Sequence, residues 1–180
     1  GESVSSAGDV NDDGYDDVLI GAPNYLPNGK AYLYAESSPS SGTTYTKNLV
    51  AGWTWFSVNV KLDDMSLNTV LNSIAPNGVS IKDQTSFADY YEGFGWYSSN
   101  GLDVMRVTTG YKIYMSNTDI LTFTGVPVDY ANTQIDLVAG WNWIGYMPQA
   151  KDHINHALSS IEPNGTFIKN QTAYADYYAG

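Results

Sequence analysis

Cysteine is absent from all 180 residues, which excludes disulfides, thiolate metal sites and cysteine nucleophiles. Basic residues are scarce: 8 Lys and Arg stand against 19 Asp and Glu, for a net charge of −11. Nucleic-acid binding needs clustered cations to displace phosphate counterions, so that partner class is disfavoured and divalent cations are favoured. No apolar run approaches the roughly 18 residues that a membrane-spanning helix requires. No secretory leader is recognisable, and Gly1 is not an initiating residue, so the chain reads as a processed or excised piece of a longer protein. Charged residues are sparse at 15%, whereas aromatics reach 14% and glycines number 17. That balance points away from disorder and toward a β-rich fold with many turns.

The most informative feature present is an internal repeat. LVAGWTWF from Leu49 returns as LVAGWNWI from Leu137, and IKDQTSFADYYEG from Ile81 returns as IKNQTAYADYYAG from Ile168. The second copy reaches the equivalent of Gly93 at Gly180, so it is expected to be incomplete. Whole-module duplication marks scaffolds and binding surfaces more than catalysts. Composition divides the chain into an amino-terminal segment 1–35, a Ser/Thr/Pro-rich linker 36–47, a first module 48–136 and a second module 137–180.

In the amino-terminal segment, DVNDDGYDD runs from Asp9 to Asp17. Asp9, Asn11 and Asp13 place oxygen ligands at alternate positions, Gly14 permits the turn, the Tyr15 carbonyl adds a neutral oxygen and Asp17 closes the shell. This hard, anionic donor set suits Ca²⁺ better than Mg²⁺, which keeps a stricter octahedron and fewer protein ligands. Five carboxylates in nine residues repel one another strongly without a cation. The flanks, from Val18 to Ile20 and from Ala31 to Tyr34, read as strands rather than helices, which argues against an EF-hand. The stretch SVSSAGDVNDDGYDDVLIGAP from Ser3, with GKAYLY from Gly29, resembles the FG-GAP repeat of integrin-α-type β-propellers. The resemblance implies Ca²⁺ binding by Asp9, Asn11, Asp13, the Tyr15 main chain and Asp17, although a propeller needs several blades and only part of one is present.

Each repeat opens with a strand pattern. Phe56, Val58 and Val60 face one way, and Trp53, Trp55, Ser57 and Asn59 the other. Leu67, Val70, Leu71 and Ile74 follow at helical spacing, matched by Ile154, Ala157, Leu158 and Ile161. The expectation is a short amphipathic helix in both copies, equally buried, started by Asp64 or Ser66 and by Asp152, and ended by Pro76-Asn77-Gly78 and Pro163-Asn164-Gly165. The expected fold class is therefore mostly β, made of α+β modules. A Ca-binding β-hairpin segment precedes two homologous small antiparallel-sheet modules, each with one short helix. The repeated wording resembles Gly-Trp-Asn-Trp-Ile-type repeats near the carboxyl ends of large secreted and surface proteins of Bacteroidetes-like bacteria, often of the type IX secretion kind. That resemblance implies an extracellular or cell-surface, non-catalytic module.

His153 and His156 lie one helical turn apart without an accompanying carboxylate or third ligand, so they are not read as a metal site. The pairs Asp63/Asp64 and Asp89/Glu92 lack a supporting His, Lys or Arg for acid–base work, so no catalytic residue is assigned. The tryptophans are read as core or inter-module packing, with a glycan platform as the alternative. The leading reading is a calcium-binding structural or adhesion module, with a head-to-tail filament subunit as one form of it. Its partners would be copies of itself, neighbouring domains or glycans. The alternative is a carbohydrate-binding accessory module of a secreted hydrolase, favoured by an exposed coplanar pair of Trp or Tyr side chains.

Overall fold

Thr, Val, Ile and aromatic residues at alternate positions draw much of the chain into short antiparallel strands. The computed structural model describes residues 3–8, 10, 16–24, 28–34 and 42–178. The chain divides into two units, Gly1–Gly42 and Thr43–Gly180.

The first unit is an antiparallel meander of β1 (Ser3–Gly8), β2 (Asp17–Ala22) and β3 (Lys30–Tyr34), in that order. Strands β2 and β3 are the two read from the sequence. β1 was not anticipated, because its run SVSSAG has a single large apolar residue to reveal alternation. Its register against β2 shifts between Ser6 and Gly8, where Gly8 takes φ 69° and brings the chain into the acidic loop.

In the second unit, β4 (Thr43–Leu49), β11 (Asp119–Pro127) and β6 (Val60–Lys61) form one sheet in the order β4-β11-β6. A second sheet has the order β5-β10-β7-β8-β9, built from β5 (Gly52–Phe56), β7 (Gly78–Lys82), β8 (Phe87–Tyr91), β9 (Gly95–Tyr97) and β10 (Tyr111–Met115). Helix α1 (Leu67–Val70) and a 3₁₀ turn at Asn72–Ile74 complete this layer. Residues 43–47 are thus part of a ladder with β11 within the stretch read as linker.

The alternation expected after Trp53 holds. Phe56, Val58 and Val60 are buried, while Trp53, Trp55, Ser57 and Asn59 look outward. Leu67, Val70, Leu71 and Ile74 enter a core with Ile81, Ile113 and Leu121. The anticipated helix is shorter than its pattern and finishes in 3₁₀ geometry. Gly78 belongs to β7, and a Cβ there would lie 2.6 Å from the buried Trp96 ring, so the indole occupies the room the glycine leaves.

Ser66 is the N-cap of α1, its hydroxyl accepting from the Thr69 amide at 3.4 Å. Asp64 braces this start by accepting from the Ser66 amide at 2.8 Å and from the Thr69 hydroxyl. Those bonds, the Thr69 hydroxyl first, hold the Asp64 carboxyl below its ordinary value. A depressed carboxyl stabilises the fold above its unfolded pKa of about 3.9, and that contribution is lost as pH falls through the lower folded value. Thermal melts should therefore separate wild type from Asp64→Asn above about pH 4 and converge under stronger acid.

The second copy repeats part of this plan. Helix α2 (Ile154–Ala157) is followed by a 3₁₀ turn at Ser159–Ile161, and β12 (Phe167–Lys169) pairs with β13 (Tyr174–Asp176) as β7 pairs with β8. Both copies carry a cis proline at the same place, Ala75–Pro76 and Glu162–Pro163. Three expectations are corrected. The stretch Trp141 to Ile144 forms no strand, because β5 gains its ladder from β10 and residues 137–178 hold no counterpart of β10. The helical face is not buried equally: Ile154 is 38% exposed and Leu158 and Ile161 are half-buried, since the strands that cover α1 have no equivalents here. The cap of α2 is His153, whose Nδ1 accepts from the Asn155 amide at 3.4 Å, rather than Asp152.

Candidate functional site

Two places carry chemistry. The first is the acidic loop, where Asp9, Asn11, Asp13 and Tyr15 lie outside the described residues. Asp17 is described, and it opens β2 completely buried. Its Oδ2 accepts from the Val10 amide at 2.8 Å, while its Oδ1 meets no hydrogen-bond donor among the described residues. Neighbouring Asp16 is exposed and takes the Ser6 hydroxyl at 3.4 Å. A buried carboxylate oxygen without a partner is costly, and a hard cation is the ligand whose chemistry answers it. The fit of this residue to Ca²⁺ rests on that orphaned oxygen. Among the described residues no group of three His, Asp or Glu side chains converges as a metal site.

The second place is the outward face of the five-stranded sheet. Register puts Trp55, Lys112, Lys82 and Phe87 in one row across β5, β10, β7 and β8. The next row holds Trp53, Tyr114, Ser80, Asp89 and Tyr97. Trp143 of the second copy stacks on Trp55 with ring centroids 6.4 Å apart and planes 21° apart. The Lys112 ammonium sits 4.0 Å from the Trp55 centroid and 4.2 Å from that of Trp143, so both rings share one cation. Lys82 lies over Trp53 at 4.5 Å, and its repeat counterpart Lys169 lies over Trp141 at 4.9 Å. Desolvation, and then repulsion from Lys82 and Lys169, lower the Lys112 pKa.

The two copies grip each other reciprocally through this face. Gln84 donates to the Trp141 carbonyl at 2.7 Å and accepts from the Trp143 amide at 2.8 Å. Gln171, its counterpart, donates to the Trp53 carbonyl at 2.8 Å and accepts from the Trp55 amide at 2.8 Å. Each glutamine amide thus acts as a one-residue strand on a Gly-Trp-x-Trp backbone, and Gln171 occupies the otherwise open edge of β5. Both turns are fixed alike: Asp83 Oδ1 accepts from the Thr85 and Ser86 amides, and Asn170 Oδ1 from those of Thr172 and Ala173. Where residue i meets j and the copy of j meets the copy of i, the contact is isologous. Backbone bonds from Gly110 to Trp143 at 3.0 Å and from Gly145 to Thr108 at 2.9 Å complete the docking.

Sequence reasoning missed Gln84, Gln171 and the three lysines. The signal available was the IKDQT and IKNQT pair, in which Lys and Gln keep their places in both copies. The tryptophans divide: Trp96 is core, Trp55 and Trp143 pack between copies, and Trp53 and Trp141 are 39% and 56% exposed. The histidine reading also needs correcting. His156 does have a carboxylate, with Nδ1 2.5 Å from Asp152 Oδ2 on the exposed start of α2, where it replaces the Thr69–Asp64 brace of the first copy.

Residues 1–34 match the family model of the FG-GAP repeat. No curated protein and no solved structure matches the chain. The first unit is a β-rich segment similar to the FG-GAP repeat, a type found in extracellular structural and adhesion proteins. Among the described residues no helix is long and apolar enough to cross a membrane.

Proposed function

We propose that the chain is a non-catalytic, extracellular, calcium-binding structural or adhesion segment of a bacterial surface or secreted protein. In this reading a calcium-binding segment 1–35 is joined through 36–47 to two copies of one module, 48–136 and 137–180. The partners are neighbouring domains or further copies of the chain. The observation that carries the reading is the fully buried Asp17, with one carboxylate oxygen held by Val10 and the other without a partner among the described residues. Asp9, Asn11, Asp13 and the Tyr15 carbonyl join Asp17 as the ligands. When bound, Ca²⁺ supplies charge balance for a loop of five carboxylates, and so fixes the connection between β1 and β2. The shift of register at Ser6 and Gly8 starts the loop from one side, and buried Asp17 anchors it from the other.

Calcium present at 100 times its dissociation constant should stabilise the first unit by about 2.7 kcal/mol, because a ligand that binds only the folded form stabilises it by mass action. Limited proteolysis followed by mass spectrometry checks this. Chelator should open residues 1–35 to cleavage while the second unit stays intact, and Asp17→Asn should be cleaved there even with calcium present. Identical cleavage of the wild type with and without chelator would sink the assignment.

A further inference from the structure

The acidic balance of this chain makes one face exceptional. Lys82, Lys112 and Lys169 are three of only eight basic residues, and they converge on the Trp53, Trp55, Trp141 and Trp143 rings. None of the three forms an ion pair among the described residues, although Asp89 lies one row from Lys82 on the same face. Like charges gathered without counter-charge repel each other, an arrangement that an incoming anion relieves. The ammonium groups are also held in place by ring faces, so little side-chain freedom is lost on binding.

We propose that this face binds an acidic polysaccharide, specifically a polyuronate. The part of this face that the docked second copy leaves exposed suits an extended polymer, and rows of ammonium beside aromatic rings suit a sugar that carries a carboxylate on a ring with apolar C–H faces. Carboxylates pair with Lys82, Lys112 and Lys169. The exposed rings of Trp141, Trp53 and Tyr174 receive the sugar faces. An acidic peptide satisfies the ammonium groups but leaves those rings unused. A nucleic acid brings far more charge than three lysines offset on a chain of net charge −11. This binding is separate from the calcium loop, because every residue in it belongs to the second unit.

The test uses the whole chain, oligogalacturonate as the probe, and intrinsic tryptophan fluorescence with calorimetry as readouts. The expected result is saturable binding that perturbs the tryptophan signal, weakens with added salt and survives chelator. Lys82→Gln combined with Lys169→Gln should weaken it at least tenfold, as should Trp141→Ala, while Lys61→Gln on β6 leaves it unchanged. The lysine pair spans both copies and Trp141 lies in the second, all as exposed or half-buried side chains, so the two results check each other against misfolding. Equal affinity for poly-glutamate would overturn the sugar in favour of an acidic peptide. Absence of binding at low salt, binding unmoved by the lysine pair, or binding lost in chelator would each overturn the proposal.

Discussion

Leu71→Ala should cost about 2–5 kcal/mol, whereas Leu158→Ala at the matching place should cost well under half as much. Both leucines follow the last residue of a one-turn helix, and the two helices start from related sequence. Leu71 is fully enclosed, so truncation removes its transfer free energy and leaves a cavity among Ile74, Ile81 and Ile113. Leu158 is half-buried, and solvent fills the space its side chain leaves. Chemical denaturation of the two variants gives the comparison directly. Equal losses would mean that the second copy is covered in solution by something further.

Gly145→Ala should release the second copy while sparing the first. A Cβ at Gly145 would lie 2.0 Å from the Val107 carbonyl oxygen, which is backbone and cannot swing aside. The Gly145 amide donates to Thr108 at this same seam, so relief of the clash breaks that bond and the adjoining one from Gly110 to Trp143. Overpacking of this kind costs about 1–3 kcal/mol, which is comparable with the stability of a docked segment and less than that of a core. Hydrogen exchange should show amides of 141–149 losing protection, with those of β7 and β10 retained. Loss of the Lys112-perturbed Trp55–Trp143 stack should shift tryptophan fluorescence at the same time.

The residues that declared themselves in the sequence were those whose partners lie close along the chain. Phe56, Val58 and Val60 alternate, Leu67 to Ile74 keeps a helical period, and both gave the right burial for the first copy. Strand β4 did not show itself, because Thr43, Thr44 and Thr46 read as linker although β-branched threonine fits a pleated surface well. Its ladder with β11 is set by residues 70 to 82 positions away, including a Thr44–Thr124 hydroxyl contact of 2.9 Å that no local pattern reveals. Equal sequence in the two copies also misled, since burial is decided by the strands laid over a helix and not by the helix itself. The acidic loop shows the converse: spacing alone put Asp17 forward as a candidate ligand, and the structure adds that it is buried with one oxygen unpartnered among the described residues.

The glutamine exchange means that neither copy can distinguish its own sister from the sister in another molecule. Gln84 and Gln171 offer the same amide to the same kind of backbone edge, so choice of partner falls to the tether between Val128 and Leu137. A short tether holds its two ends at an effective concentration in the millimolar range. Dilute protein should therefore satisfy both grips internally and behave as a closed pair. Where molecules are crowded above that threshold, as when many are anchored side by side on one surface, the same bonds can be made between neighbours without any new contact. Surface density alone would then convert a self-contained module into a cross-link.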